Sequence, residues 1–142
     1  MRLGLRTVYA LIVLPLLLDG SGSARRTSSS CECLRLGQLG VQQISQLRFG
    51  EAAKTLERAV QASEQEGDLV RGAKHRNNLG GALLYQFNYS EALTHFVAAR
   101  EMAKALGEKE TEAISWLNMA NLYTTLGAGA AAEHAIGESL KL

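Results

Sequence analysis

Proline is almost missing from this chain. Pro15 stands alone, and none follows it to the C-terminal Leu142. Without the residue that breaks helices, long helices are free to run from residue 31 onward. Cysteine is nearly as scarce. Cys31 and Cys33 are the two present, and C-x-C by itself does not close a four-ligand zinc site. The three histidines, His75, His95 and His134, lie far from that pair in sequence. A disulfide between residues two apart is strained. Lipid attachment at Cys31 fails on context, because Ser28, Ser29 and Ser30 supply no apolar residue before it. Cys33 is therefore expected to pack on the first helix, with Cys31 in a linker.

An excess of one charge is also absent. Fifteen basic and fourteen acidic residues leave a net charge of +1, which excludes a nucleic-acid binder on charge grounds. The chain has no G-x-S-x-G, no H-E-x-x-H and no phosphate-binding G-x-x-x-x-G-K string. No catalytic residue, metal site or cofactor is expected.

The first thirty residues differ from the rest. Arg2 and Arg6 give a positive start, and the stretch 7–18 then runs without a charge. Gly22 and Ala24 are small residues at the −3 and −1 places of a secretory cleavage site. The reading is a signal peptide over 1–24 and a flexible, polar, Ser-rich linker over 25–30. It places the protein outside the cytoplasm, secreted or periplasmic. The apolar run over 7–18 is shorter than the roughly 20 residues of a spanning helix. The alternative is an uncleaved anchor, the one route by which the chain would meet a membrane. Cleavage removes Arg2, Arg6 and Asp19 and leaves basic and acidic groups in equal number.

What the chain does have is a repeat. Gly40, Gly80 and Ala120 stand at equal intervals, and Ala52, Ala92 and Ala132 keep the same interval. Leu56, Phe96 and Ile136 follow in step, and then Ala59, Ala99 and Ser139. Each set holds one size class, and a fixed period of this length marks a repeat architecture. Helix formers dominate, and Leu79, Ala82, Leu83 and Gln86 keep the helical spacing. The small residues are expected to let two helices approach, and Leu56, Phe96 and Ile136 to fill the space between pairs. Turns are expected at Phe49-Gly50, Asn88-Tyr89-Ser90 and Gly127-Ala128-Gly129 within pairs. Between pairs they are expected at Gly67-Asp68 and Gly107, and Ser90 is placed to cap the helix after it.

The repeats resemble the tetratricopeptide repeat (TPR), whose unit reads W-x2-L-G-x2-Y and then Ala, a large residue and Ala. Trp116, Met119, Ala120 and Tyr123 match in the third copy. Leu79, Gly80, Ala92, Phe96 and Ala99 match in the second, and Leu36, Leu39, Gly40, Ala52, Leu56 and Ala59 in the first. The unit here, measured from Gly40 to Gly80, is longer than the family's usual one of about 34. The extra length falls in 63–68 and 103–110, where it is expected to lengthen the flanking helices. In unit length, and in Asn77-Asn78 and Asn118, the array is similar to kinesin-light-chain-like arrays, rapsyn-like scaffolds and the arrays of bacterial CHAT proteases.

The resemblance implies an all-α, right-handed α-solenoid of three helix pairs over 31–142, with units near 33–72, 73–112 and 113–142. It implies a concave face built from first helices: Leu34, Gly37, Val41 and Ser45, then Lys74, Asn77, Gly81 and Tyr85, then Ile114, Leu117, Asn121 and Thr125. A protein or peptide partner is expected there. Lys74 would meet a carboxylate, Asn77 a backbone amide, and Tyr85 would be an aromatic floor, with Asn121 extending the polar row. The alternative is that the Asn side chains satisfy backbone groups between helices and Lys74 is solvated. The family's clamp for acidic C-terminal peptides needs Lys and Asn where this chain has Gly37 and Val41, so that ligand is not expected. Arg58 and Arg100 are expected on the opposite face. Ala135, Ile136 and Leu140 are expected to lack a covering neighbour. That motivates two alternatives: self-association through the C-terminal helix, or a regulatory fragment of a longer signalling enzyme or protease.

Overall fold

The computed structural model describes the backbone from residue 22 to residue 142 and side chains from Glu32 onward. Residues 1–21 of the expected signal peptide over 1–24, and with them the apolar run of the anchor alternative, lie outside the described residues. Six helices follow: α1 Gly22–Ser45, α2 Phe49–Glu66, α3 Leu69–Leu84, α4 Tyr89–Leu106, α5 Lys109–Thr125 and α6 Gly129–Ser139. No strand occurs among the described residues. The first helix begins before the sequence reading places it and takes in both the expected linker over 25–30 and Cys31. Past Gly22 that stretch holds no proline and no further glycine until Gly37, so nothing local interrupts the helix.

The pairing follows from the size classes. A Cβ added to Gly40 would sit 2.5 Å from the Leu56 side chain, and one on Gly80 would sit 2.7 Å from the Phe96 ring. The absent side chains are what let α1 meet α2 and α3 meet α4 at this distance. Leu56 and Phe96 are fully buried, with Ala52, Ala59, Ala92 and Ala99 around them. The third pair repeats the backbone but not the burial. Ala120 is buried, whereas Ile136 is 43% exposed. Ile136 does not fill the core as its register suggested, since no further helix pair packs on α6 among the described residues. Leu140 is exposed too, but Ala135 is fully buried rather than bare.

Each helix packs on the next in sequence. In addition α1 touches α3, and α3 touches α5, while α2, α4 and α6 do not touch one another. The first helices of the pairs therefore form the tight inner row, and the second helices splay outside it. The row bends toward α1, α3 and α5.

All five turns close in one way. At each, one residue takes a left-handed φ: Leu47 (60°), Gly67 (71°), Phe87 (64°), Gly107 (72°) and Gly127 (72°). Its N–H bonds to the carbonyl three positions back, and the next N–H reaches five back. Examples are Arg48 N–H to the Gln43 carbonyl at 2.9 Å and Ala128 N–H to the Tyr123 carbonyl at 2.8 Å. This is the Schellman arrangement, which satisfies carbonyls left open at a helix end. The turns within the first two pairs thus fall slightly before the places expected. Phe49, Gly50, Tyr89 and Ser90 already belong to helices. Ser90 does not cap; the N-cap of α4 is Asn88, without a side-chain bond. Asp68 does cap, accepting from Arg71 N–H at 3.0 Å and pairing with the Arg71 guanidinium.

Polar side chains fix one pair on the next. Gln86 donates to the Phe49 carbonyl at 3.2 Å. Arg76 pairs with Glu64. The Arg100 guanidinium lies 4.3 Å over the Trp116 ring, and His134 meets that ring edge-on at 6.0 Å. Arg100 stands on a second helix, α4. It is part of the seam between the second and third pairs.

Candidate functional site

The inner row carries two adjoining hollows. The larger, about 660 Å³, runs between α1 and α3. Leu34, Val41, Gln38 and Ser45 line it from α1, and Arg71, Lys74, His75 and Asn78 from α3. The smaller, about 220 Å³, lies between α3 and α5 and is lined by Lys74, Asn77, Asn78, Glu110, Thr111 and Ile114. The larger falls in the usual range for binding clefts. Lys74 lines both and makes no ion pair among the described residues. No carboxylate lines the larger hollow. Leu34, Val41, Ile114 and Leu117 are all exposed on this inner row.

The four sequence-derived candidates separate. Lys74 and Asn77 come together at the smaller hollow. Asn77 is itself buried, and its Oδ1 accepts from Asn118 Nδ2 at 3.1 Å across the α3–α5 seam. That oxygen is taken by a side chain of the neighbouring unit, and not by a backbone group as the alternative had it. Tyr85 lines neither hollow. It is exposed at the end of α3 and stacks on Phe49, ring centroids 4.7 Å apart. Lys74 and Tyr85 share a stripe of the helix but stand about 16 Å apart along its axis. Asn121 is exposed on α5 and lines neither hollow.

One side chain at the larger hollow was not singled out from the sequence. His75 is buried behind Gly37, where an added Cβ would collide with Nε2 and lie 2.8 Å from Cδ2. Its Nδ1 lies 3.0 Å from Ser63 Oγ and 3.3 Å from the Ala59 carbonyl. Ser63 has one hydroxyl proton and donates it to the Ala59 carbonyl at 2.9 Å. Nδ1 must then carry the proton in that contact, which leaves the lone pair on Nε2, beside Gly37 at the hollow. Burial holds the His75 pKa below the usual imidazole value, against an opposing pull from the Ala59 carbonyl. The hollow is thereby given one fixed acceptor. A glycine at a partner-facing place is the signal that could have found it.

The Ser63–His75 contact is not a nucleophile–base pair. Ser63 is fully buried, and its proton points at a backbone carbonyl instead of at the imidazole. Cys33 is buried and reduced, with burial raising its thiol pKa. Among the described residues no three His, Cys, Asp or Glu side chains gather where a metal could sit.

Six helices in consecutive antiparallel pairs, with first helices on the inside, define an all-α domain of TPR-like helix pairs. The TPR domain of Arabidopsis FLU has this fold: the two superpose with a TM-score of 0.74 over 80% of this chain and 95% of that one. Sequence identity is 18%, so the likeness is one of fold. No family model matches the sequence, and no curated protein does.

Proposed function

We propose that the chain is a protein-interaction module whose inner row holds a peptide segment of another protein. The observation that carries this reading is the α1–α3 hollow. It is a preformed cleft with exposed Leu34 and Val41 on one wall and, on the other, Lys74 without an ion pair among the described residues. Apolar side chains of the partner would cover Leu34 and Val41, and a carboxylate would meet Lys74. His75 Nε2 would accept from a partner N–H or O–H. The buried, inverted Ser63–His75 contact favours binding over catalysis.

A photo-crosslinking amino acid placed at Val41, in the protein's own cell, tests the reading. It is expected to trap a discrete partner, and Lys74→Glu should reduce that product at least about tenfold, the scale of a lost interface anchor. The same label at Arg58, exposed on α2, is the control. A product from Arg58 and none from Val41 would move the partner to the outer row.

Export belongs to the same proposal. The positive start, short apolar run and Ala24 exit support cleavage after Ala24 and a secreted or periplasmic protein. Amino-terminal sequencing of the native protein is expected to begin at Arg25; a chain beginning at Met1 would leave the anchor reading in its place.

A further inference from the structure

Among the residues that line the larger hollow, His75 is the one buried polar side chain, 6% exposed. Both of its polar contacts, to Ser63 and to the Ala59 carbonyl, run through Nδ1. Nε2 makes no hydrogen bond among the described residues. An acceptor left open at a buried place costs free energy until something supplies a donor. Water serves such an atom in the free protein. A ligand that displaces this water must bring a donor of its own. The hollow therefore asks for one particular group at one particular atom.

The walls narrow what that donor can be. Lys74 and Arg71 line the hollow and no carboxylate does, so a lysine or arginine side chain is repelled. Leu34 is 41% exposed and Val41 48%, and the occupant has to cover them. A serine or threonine hydroxyl is too short to cover both and still reach Nε2. A carboxamide would lay polar atoms against the two apolar side chains. A backbone N–H stands barely clear of its own chain, so it suits an acceptor at the surface and not one recessed behind Gly37. A phenol meets every demand: an apolar ring, no charge, and one O–H at its tip.

We propose that the larger hollow is a tyrosine site: the partner segment lays a tyrosine ring against Leu34 and Val41, and its hydroxyl donates to His75 Nε2. This rests on the peptide reading of the inner row and adds to it the side chain that is read. His75 is the residue that sets specificity, and Ser63 and Ala59 position its ring from behind. Gly37 leaves the room that the imidazole occupies, since a Cβ there would collide with it. Burial keeps the imidazole neutral, so the lone pair on Nε2 is present at neutral pH. A hollow of about 660 Å³ admits a phenol with space for the flanking chain. Phenylalanine would fill the same space and leave Nε2 dry and unpaired, which is how a site built for a hydroxyl rejects the analogue without one. Tryptophan carries its N–H on the flank of the ring system, so its indole would have to lie across the hollow to donate.

The test is selection of a phage-displayed library of random nonapeptides on the immobilised native chain. The enriched peptides are expected to share a tyrosine at one place and to lose binding to the Lys74→Glu variant. Replacing that tyrosine by phenylalanine should weaken the peptide at least about tenfold. His75→Leu should bind the tyrosine and phenylalanine peptides equally. If that variant folds poorly, the native chain gives the same answer by nitrogen-15 resonance. The His75 Nε2 signal should move toward its protonated value with the tyrosine peptide and hold its place with the phenylalanine peptide. Peptides that depend on Lys74 but lack tyrosine, carry tryptophan in its place, or bind as well with phenylalanine overturn the tyrosine site and leave the peptide reading standing. If no peptide is enriched, or if Lys74→Glu changes nothing, the peptide reading falls and the tyrosine site falls with it.

Discussion

Phe96→Ala is expected to remove about 3–5 kcal/mol from the stability of the folded domain, the range for truncating a buried aromatic. Phe96 is fully buried between Ala92 and Ala99 and fills the space left by Gly80 on the facing helix. Since Gly80 has no side chain, nothing at that place on α3 can swing in to occupy the void. A loss of this size is a large share of the roughly 5–15 kcal/mol that holds a typical domain. Chemical denaturation monitored by circular dichroism measures it. A midpoint equal to that of the wild type would mean that α3 and α4 do not pair through these residues.

The second expectation uses one substitution at two places on the same inner row. Gly37→Ala should destabilise the protein by up to about 2 kcal/mol, because overpacking costs about 1–3 kcal/mol and replacing a helical glycine returns only about 1 kcal/mol. The added carbon would run into the His75 ring, and that ring is held from behind by Ser63 and Ala59. Gly81→Ala should do the opposite. Nothing lies within 4 Å of a Cβ there, so the helix-propensity gain of up to about 1 kcal/mol stands unopposed. Paired melts of the two variants read the difference. If Gly37→Ala is as stable as Gly81→Ala, His75 is not fixed behind Gly37, and the acceptor at the hollow is lost from the account.

The repeat was legible because packing writes itself into residue size. Gly40 faces Leu56 and Gly80 faces Phe96, so a small residue stands opposite a large one in both of the first two pairs. Three of the turn residues were legible as glycines. Leu47 and Phe87 were not, because an apolar side chain gives no turn signal; their place shows only when all five turns are set on one even count. The site was legible in direction and not in distance. Spacing along a helix placed Lys74 and Tyr85 on one stripe, yet the rise per residue carries them to different ends of α3. Asn77 looked like a ligand group because polarity on an inner row reads the same whether the side chain faces a partner or a neighbouring unit. Its Oδ1 takes a bond from Asn118, one unit further along the chain.

The seam at Trp116 has a use of its own. Trp116 is the one tryptophan in the chain, and it sits between Arg100 of the second pair and His134 of the third. Its fluorescence therefore reports a single boundary, whereas the far-ultraviolet signal averages over every helix. In an array whose units touch only their neighbours, the two signals need not change together. Coincident transitions would show the row melting as one body; an early optical change would show the third pair peeling away while the others hold. The chain carries, without any label, an indicator of whether it behaves as one cooperative unit or as a stack.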